Sequence, residues 1–152
     1  MEINEKSTLS IKEVATQTNL SVHTLRYYEK IGLISSIPRN QTSNYRQYTM
    51  ETLQMIESLA CLRATGMSIA DMRTYLKNLR ADSHSAKQQR ELFEKHAGQV
   101  SRKIQKLQLQ KLYLKLKVRL WRARENNDEK AERQAIEEII PIAKKLRNIN
   151  ER

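Results

Sequence analysis

Between residues 85 and 126 the chain has no proline and a single glycine, while Phe93, Ala97, Val100, Ile104, Leu107, Leu114, Val118 and Trp121 recur in alternating steps of four and three. Only Lys111 interrupts the series. This is a coiled-coil pattern, and about 40 helical residues at about 1.5 Å each reach roughly 60 Å. Such a helix needs a partner. With 152 residues, one Phe, one Trp and 39% apolar content, the chain allows one modest domain plus an extension, not a second large core. The expected dimerisation surface is Val100, Ile104, Leu107, Leu114, Val118 and Trp121; the heptads do not fix whether the partner runs parallel or antiparallel. Leu109, Leu112, Leu116 and Leu120 form a second stripe on a neighbouring face, which points to contact with more than one element.

Ahead of this helix, residues 10–34 carry the signs of two short capped helices. Ser10 is followed three residues later by Glu13, a capping box, and Ile11, Val14 and Ala15 share one face, so a helix is expected over 11–18. Asn19 and Leu20 make a tight turn. Ser21 can cap a second helix that turns Val22, Leu25 and Tyr28 inward and His23, Thr24, Arg26 and Tyr27 largely outward, until Gly32 stops it. That is a helix-turn-helix, and its second helix would be the reader of a duplex.

Residues 35–44 are rich in turn formers and cannot hold a helix, whereas Tyr45-Arg46-Gln47-Tyr48 alternates. Residues 34–48 are expected to form a small two-stranded wing with residues 40–44 at its tip, offering Arg39, Tyr45 and Arg46 to a phosphate backbone; the plainer alternative is a surface hairpin. A third helix over 50–65 would bury Leu53, Ile56, Leu59, Ala60 and Leu62 and end at Gly66. A fourth follows, with a capping box at Ser68 and Asp71 and a stripe of Ile69, Met72, Tyr75, Leu76 and Leu79. Its first amides and Arg63 make a corner able to hold a phosphate, or Arg63 is an ordinary solvated charge.

A net charge of +11 implies an anionic partner such as DNA, RNA or an acidic membrane surface. Residues 1–80 carry ten Lys and Arg against seven Asp and Glu, and residues 81–127 carry twelve against four, so most of the excess lies on the long helix. Part of that flank can add nonspecific attraction to DNA, while its distant positions read as a solvated surface. No apolar run approaches the roughly 18 residues of a membrane span, and the first ten residues are polar, so a cytoplasmic protein is expected. A lone cysteine permits no internal disulfide. One Cys, with His23, His84 and His96 at spacings that place no pair on one helical turn, gives no expected metal site, and no cofactor is implied.

The segment 9–79 resembles the DNA-binding domain of MerR-type transcriptional regulators. The matches are Leu25-Arg26-Tyr27-Tyr28-Glu29-Lys30-Ile31-Gly32-Leu33-Ile34, the wing's Asn44-Tyr45-Arg46-Gln47-Tyr48, and Leu62-Arg63-Ala64-Thr65-Gly66-Met67-Ser68-Ile69. The resemblance implies that Arg26 and Tyr27 contact double-stranded promoter DNA from the recognition helix, Tyr45 and Arg46 from the wing, and Arg63 from the third helix. It implies that Glu29 and Tyr28 brace the domain and that His23 and Thr24 occupy sequence-reading positions. It implies a homodimer with antiparallel long helices on an inverted repeat, distorting the spacer so that RNA polymerase can engage; it names no effector. The expected organisation is mainly α: a winged helix-turn-helix domain over 1–80, a coiled-coil dimerisation helix over 81–127 and a short helical tail over 128–152.

Cys61 has two readings. Its context is similar to that of the lone cysteine in the aldehyde and nitrosative-stress branch of the family, where a thiol near Arg63 would be open to alkylation or oxidation; the other reading is quiet burial in a core. The tail carries Ala135, Ile136, Ile139, Ile142, Ala143, Leu146 and Ile149 on one face, with Pro141 imposing a kink or a restart, and is expected to fold back on the coiled coil or on the partner subunit. A small cavity between Trp121, Tyr113 and the tail isoleucines is one place for a ligand. No nucleophile has a neighbouring base and no glycine-rich phosphate loop exists, which argues against an enzyme. An effector-independent repressor or architectural DNA-binding protein is the alternative. A coiled-coil adaptor would leave Arg26, Tyr27, Tyr45 and Arg46 unexplained.

Overall fold

The computed structural model describes residues 8–81 and 85–149. Six helices follow in order: α1 (Ile11–Thr18), α2 (Val22–Lys30), α3 (Met50–Ala64), α4 (Ile69–Arg80), α5 (Ser85–Glu125) and α6 (Glu129–Ile149). They form two compact units, residues 1–92 and residues 93–152.

Helices α1 to α4 each begin on a hydroxyl. The side chains of Ser10, Ser21, Thr49 and Ser68 accept from the amides of Glu13, Thr24, Thr52 and Asp71, satisfying donors that a helix start leaves without partners. At Ser10 the box is complete, because the Ser10 N–H donates to Glu13 Oε2 at 2.7 Å. Helices α2 and α3 end alike. Gly32 and Gly66 take positive φ, and the next amides, of Leu33 and Met67, donate back to the carbonyls of Tyr28 and Leu62. A left-handed residue at this place closes the last turn and redirects the chain, which is why the glycines mark both ends. Asn19 does the same work after α1 at φ 55°.

The resulting core gathers Val14, Leu25, Tyr28, Leu33, Ile34, Tyr48, Leu53, Ile56, Leu59 and Met72. The wing is slighter than expected. It contains no strand, only an antiparallel bridge between Arg39 and Arg46, with the amides of Asn40 and Gln47 donating to the carbonyls of Tyr45 and Pro38. Pro38 has no N–H to extend the ladder. Tyr48 leaves the hairpin and bonds in both directions with Leu9 instead. A second correction concerns α4, whose apolar stripe stops at Leu76. Leu79 is exposed, and the buried residue near this end is Asn78, whose amide donates to Gln89 Oε1 while Gln89 Nε2 donates to the Tyr75 carbonyl. These bonds fasten the first turns of α5 to α4.

The second unit is a helical hairpin. Asn127 is left-handed at φ 52°, the Asp128 amide donates to the Ala123 carbonyl, and the Asp128 side chain caps α6 by accepting from Ala131. Leu116 and Leu120 pack on Ala135 and Ile139, flanked by Tyr113, Ile142 and Ala143. Arg119 bonds Glu138 and Arg124 bonds Glu132 along the rim. The tail therefore lies on its own α5 and covers Leu116 and Leu120 of the second leucine stripe, while Leu112 stays exposed. Helix α6 continues through Pro141 without a restart, because the proline is on the exposed side while Ile139, Ile142 and Ala143 hold both halves on α5. The expected cavity between Trp121 and the tail is absent among the described residues: Trp121 is exposed, with the Arg124 guanidinium 4.8 Å from its ring centre, on the face of α5 turned away from α6. No helix of the described residues is long and apolar enough to cross a membrane.

Candidate nucleic-acid interface

The recognition helix is oriented by Leu25 and Tyr28, both buried, which leaves His23, Arg26 and Tyr27 exposed on its outer side. Thr24 sits between. Its hydroxyl lies 2.8 Å from Ser21 Oγ and accepts from Arg63 Nη1 at 3.0 Å, linking residues 39 apart in sequence. One groove is lined by His23, Thr24, Tyr27, Arg63 and Ser68 together with Tyr28, Met67, Ile69 and Met72. His23, Thr24, Tyr27 and Arg63, all expected at DNA, and Ser68, also counted among the DNA-binding residues, thus meet where α2 faces the start of α4, whose free amides carry partial positive charge. The end of α2 is held as well, since Arg73 donates to the Ile31 carbonyl.

The wing supplies the rest unevenly. Tyr45 is 77% exposed and Arg39 is exposed, its Nη1 donating to the Asn44 carbonyl at 3.1 Å. Asn44 is left-handed, and the Asn40 side chain accepts from the amides of Thr42 and Ser43, so the tip is set by its own hydrogen bonds. Arg46 is placed differently from expectation. Its Nε and Nη2 donate to the Glu29 carboxylate at 3.1–3.2 Å, and its side chain is 18% exposed. Glu29 also accepts from the Ile37 amide. Arg46 is therefore a brace between wing and recognition helix rather than an arginine held out to solvent. Beneath it the Tyr48 hydroxyl is buried with no hydrogen-bond partner among the described residues. Burial pushes its phenol above the ordinary range and Glu29 adds to this, while Arg46, Arg26 and Arg39 pull the other way.

Cys61 is exposed, which overturns the reading of quiet burial. It lines a groove with Gln17, Asn19, Leu20, Ser21 and Arg63, between the helix-turn-helix turn and α3. Among the described residues no group of three His, Cys, Asp or Glu is gathered as a metal site would need; His84 lies outside them. His96 is buried, its Nδ1 3.2 Å from Gln99 Oε1. The bracing roles of Arg46 and Asn78 were missed from sequence, because pairing between side chains of separate elements leaves no periodic trace.

Two family descriptions match: MerR HTH family regulatory protein over residues 9–79, and MerR, DNA binding, over residues 51–115. An uncharacterised HTH-type transcriptional regulator of Haemophilus influenzae is 31% identical over 109 residues, 72% of this chain and 78% of that protein. The uncharacterised HTH-type regulator YyaN of Bacillus subtilis is 42% identical over 69 residues, 45% of this chain and about half the length of that relative, at 49%. The crystal structure of HiNmlR, a MerR family regulator lacking the sensor domain, bound to promoter DNA, superposes with a TM-score of 0.66 at 27% identity, covering 83% of this chain and 96% of that one. Helix order, recognition-helix chemistry and these matches converge: the chain belongs to the MerR family of helix-turn-helix transcriptional regulators, a family of DNA-binding proteins and not of enzymes.

Proposed function

We propose that the protein acts as a homodimer on an inverted-repeat promoter site, reading each half-site with α2 and distorting the DNA between them. The observation that carries this is the tie between Arg63 and Thr24, which fixes the outer face of α2 beside the start of α4 and leaves His23, Arg26 and Tyr27 exposed. Arg26 is positioned to read a base edge, Tyr27 and Tyr45 to meet backbone, and Arg39, Arg63 and the Ser68 amide end to hold phosphates. The HiNmlR complex with promoter DNA supports the same mode here. Two reading helices on one two-fold axis address half-sites spaced by a multiple of the helical turn, and bending costs a few kcal/mol that phosphate contacts offset.

The test is binding to the promoter region upstream of the protein's own gene, with a half-site library. Arg26→Ala is expected to cost roughly 1–3 kcal/mol and relax preference at one position, whereas Arg63→Ala weakens all sequences alike. Equal losses on specific and random DNA for Arg26→Ala would remove it as the reader. The exposure of Cys61 favours a second element, control of that binding by thiol modification. Transcription that ignores Cys61→Ser under electrophile treatment would dismiss it.

A further inference from the structure

The exposed apolar stripe of α5 is bordered by cations and, over most of its length, by no carboxylate. Ile104, Leu107, Leu114, Val118 and Trp121 form the stripe. At the positions that flank such a seam stand Lys103 and Lys117 on one side and Lys115 and Arg122 on the other, with Lys111 in the seam itself. Leu114, Val118 and Trp121 share one groove with Lys117 and Arg122. No Asp or Glu occurs between Glu94 and Glu125, a stretch that holds ten Lys and Arg.

Flanking positions commonly combine Glu with Lys, so that two helices exchange ion pairs across their seam. Here Glu138 and Glu132 of α6 pair with Arg119 and Arg124 of the same chain. Lys103, Lys111, Lys115 and Arg122 have no carboxylate partner among the described residues, and Lys117 lies with its Nζ 5.5 Å from the centre of the Tyr113 ring. This inference rests on the homodimer proposed above. Over residues 95–124 a second copy, running in either direction, brings more cations and no acid. Packed helices have axes about 8–10 Å apart, whereas charge is felt over about 10 Å at 0.1 M salt and about 3 Å at 1 M. Apolar burial therefore draws the copies together against a repulsion that dilute salt leaves largely unscreened.

We propose that pairing through α5 is held back by this charge and is completed by a phosphate polyanion lying along the flanks of the seam. A chain of phosphates matches a row of cations: Lys115 and Arg122 are about 10 Å apart along the helix and Lys103 and Lys117 about 21 Å, at about 1.5 Å per residue. Lysine and arginine meet phosphate oxygens by charge-assisted hydrogen bonds, and neutralising several of them on both copies removes the repulsion. Counterion release makes that binding strongest in dilute salt, where the repulsion is also greatest. A nucleic-acid backbone and inorganic polyphosphate share this chemistry.

Sedimentation equilibrium of the full chain tests this. From about 0.05 M to about 0.5 M NaCl the dimer dissociation constant is expected to fall by about tenfold or more. In the dilute salt, inorganic polyphosphate should give the same tightening, and its effect should vanish at the higher salt. A variant with Lys103, Lys115, Lys117 and Arg122 all changed to Gln should pair in dilute salt as tightly as the wild type does in concentrated salt, and respond to neither addition. Circular dichroism checks that its helices are retained. A random-sequence duplex is the second arm: tightening by the duplex alone, absent in the variant, would make the nucleic-acid backbone the source, and tightening by polyphosphate would show that free phosphate chains suffice. A wild-type constant that stays level or rises with salt overturns the proposal, as does a variant that still responds, or no response to either polyanion. A monomer under every condition, promoter DNA included, refutes the homodimer itself, whereas a dimer equally tight at every salt refutes only its control by charge.

Discussion

Arg46 in the wing and Glu29 near the end of the recognition helix lie 3.1 Å apart, joined by hydrogen bonds from both Nε and Nη2. Both side chains are mostly sequestered, at 18% and 16% exposure. The pair links the end of α2 to the wing, beside the bond from the Ile37 amide to the same carboxylate. Arg46→Ala leaves Glu29 partly buried without its cation and is expected to cost about 2 kcal/mol, less than the loss at a fully buried pair. Arg46→Lys should not rescue, because an ammonium cannot reproduce the fork. Urea denaturation measures the stability, and the salt dependence of DNA binding separates roles. A brace weakens binding with the slope unchanged, whereas a phosphate contact would lower the slope by about one.

Below this pair, Tyr48→Phe removes a buried hydroxyl that has no partner among the described residues while keeping the ring in the core. An unsatisfied polar atom costs its desolvation, so the substitution is expected to leave the melting temperature unchanged or raise stability by up to about 1 kcal/mol. A destabilisation of that size or larger in the free protein would mean the hydroxyl is engaged.

Much of this arrangement is legible before any coordinates. Ser10, Ser21, Gly32, Gly66 and Ser68 punctuate the helices because capping and left-handed closure are decided within a few residues. The apolar face of the tail follows from Ala135, Ile139 and Ile142 recurring at helical spacing, whereas the spacing does not say whether that face meets its own α5 or a partner subunit. What escapes is whatever depends on residues distant in sequence. Leu79 fits the helical period of α4, yet that end is closed by Asn78 and Gln89. Cys61 carries no sign of its exposure, since it sits among Leu59, Ala60 and Leu62 on a helix whose apolar residues nearly encircle it. Arg46 looks like any wing arginine until Glu29, 17 residues earlier, is seen opposite it.

Exposure makes Cys61 testable by chemistry. In the native protein it should react with a maleimide or with methylglyoxal without prior unfolding, as one thiol per chain. The groove it lines includes Ser21 and Thr24, the capping residues of α2, so an adduct there presses on the start of the recognition helix. Modification is therefore expected to reduce or redirect promoter binding in the wild type and to leave Cys61→Ser unaffected, measured by fluorescence anisotropy on the same site. Labelling that proceeds fully with binding unaltered would leave Cys61 an accessible but silent thiol.

The hairpin of α5 and α6 should respond to acid through Glu138. Hydrogen bonds from Arg119 hold its carboxyl below the ordinary value of 4.5, while the guanidinium is raised above its own and stays charged throughout. A carboxylate lowered on folding contributes stability that is complete above its unfolded value and is lost as pH falls through the folded one. The Arg119 to Glu138 link should therefore hold at neutral pH and fade below about pH 4.5. Both groups face solvent, so the contribution is small and screened by salt. Thermal melts of wild type and Glu138→Gln, run from neutral pH down to about pH 3, compare them directly. The wild type is expected to melt higher at neutral pH and the gap to close below about pH 4.5, with added salt narrowing it at every pH. A gap that stays constant across that range would mean the substitution acts through packing of α6 and not through its charge.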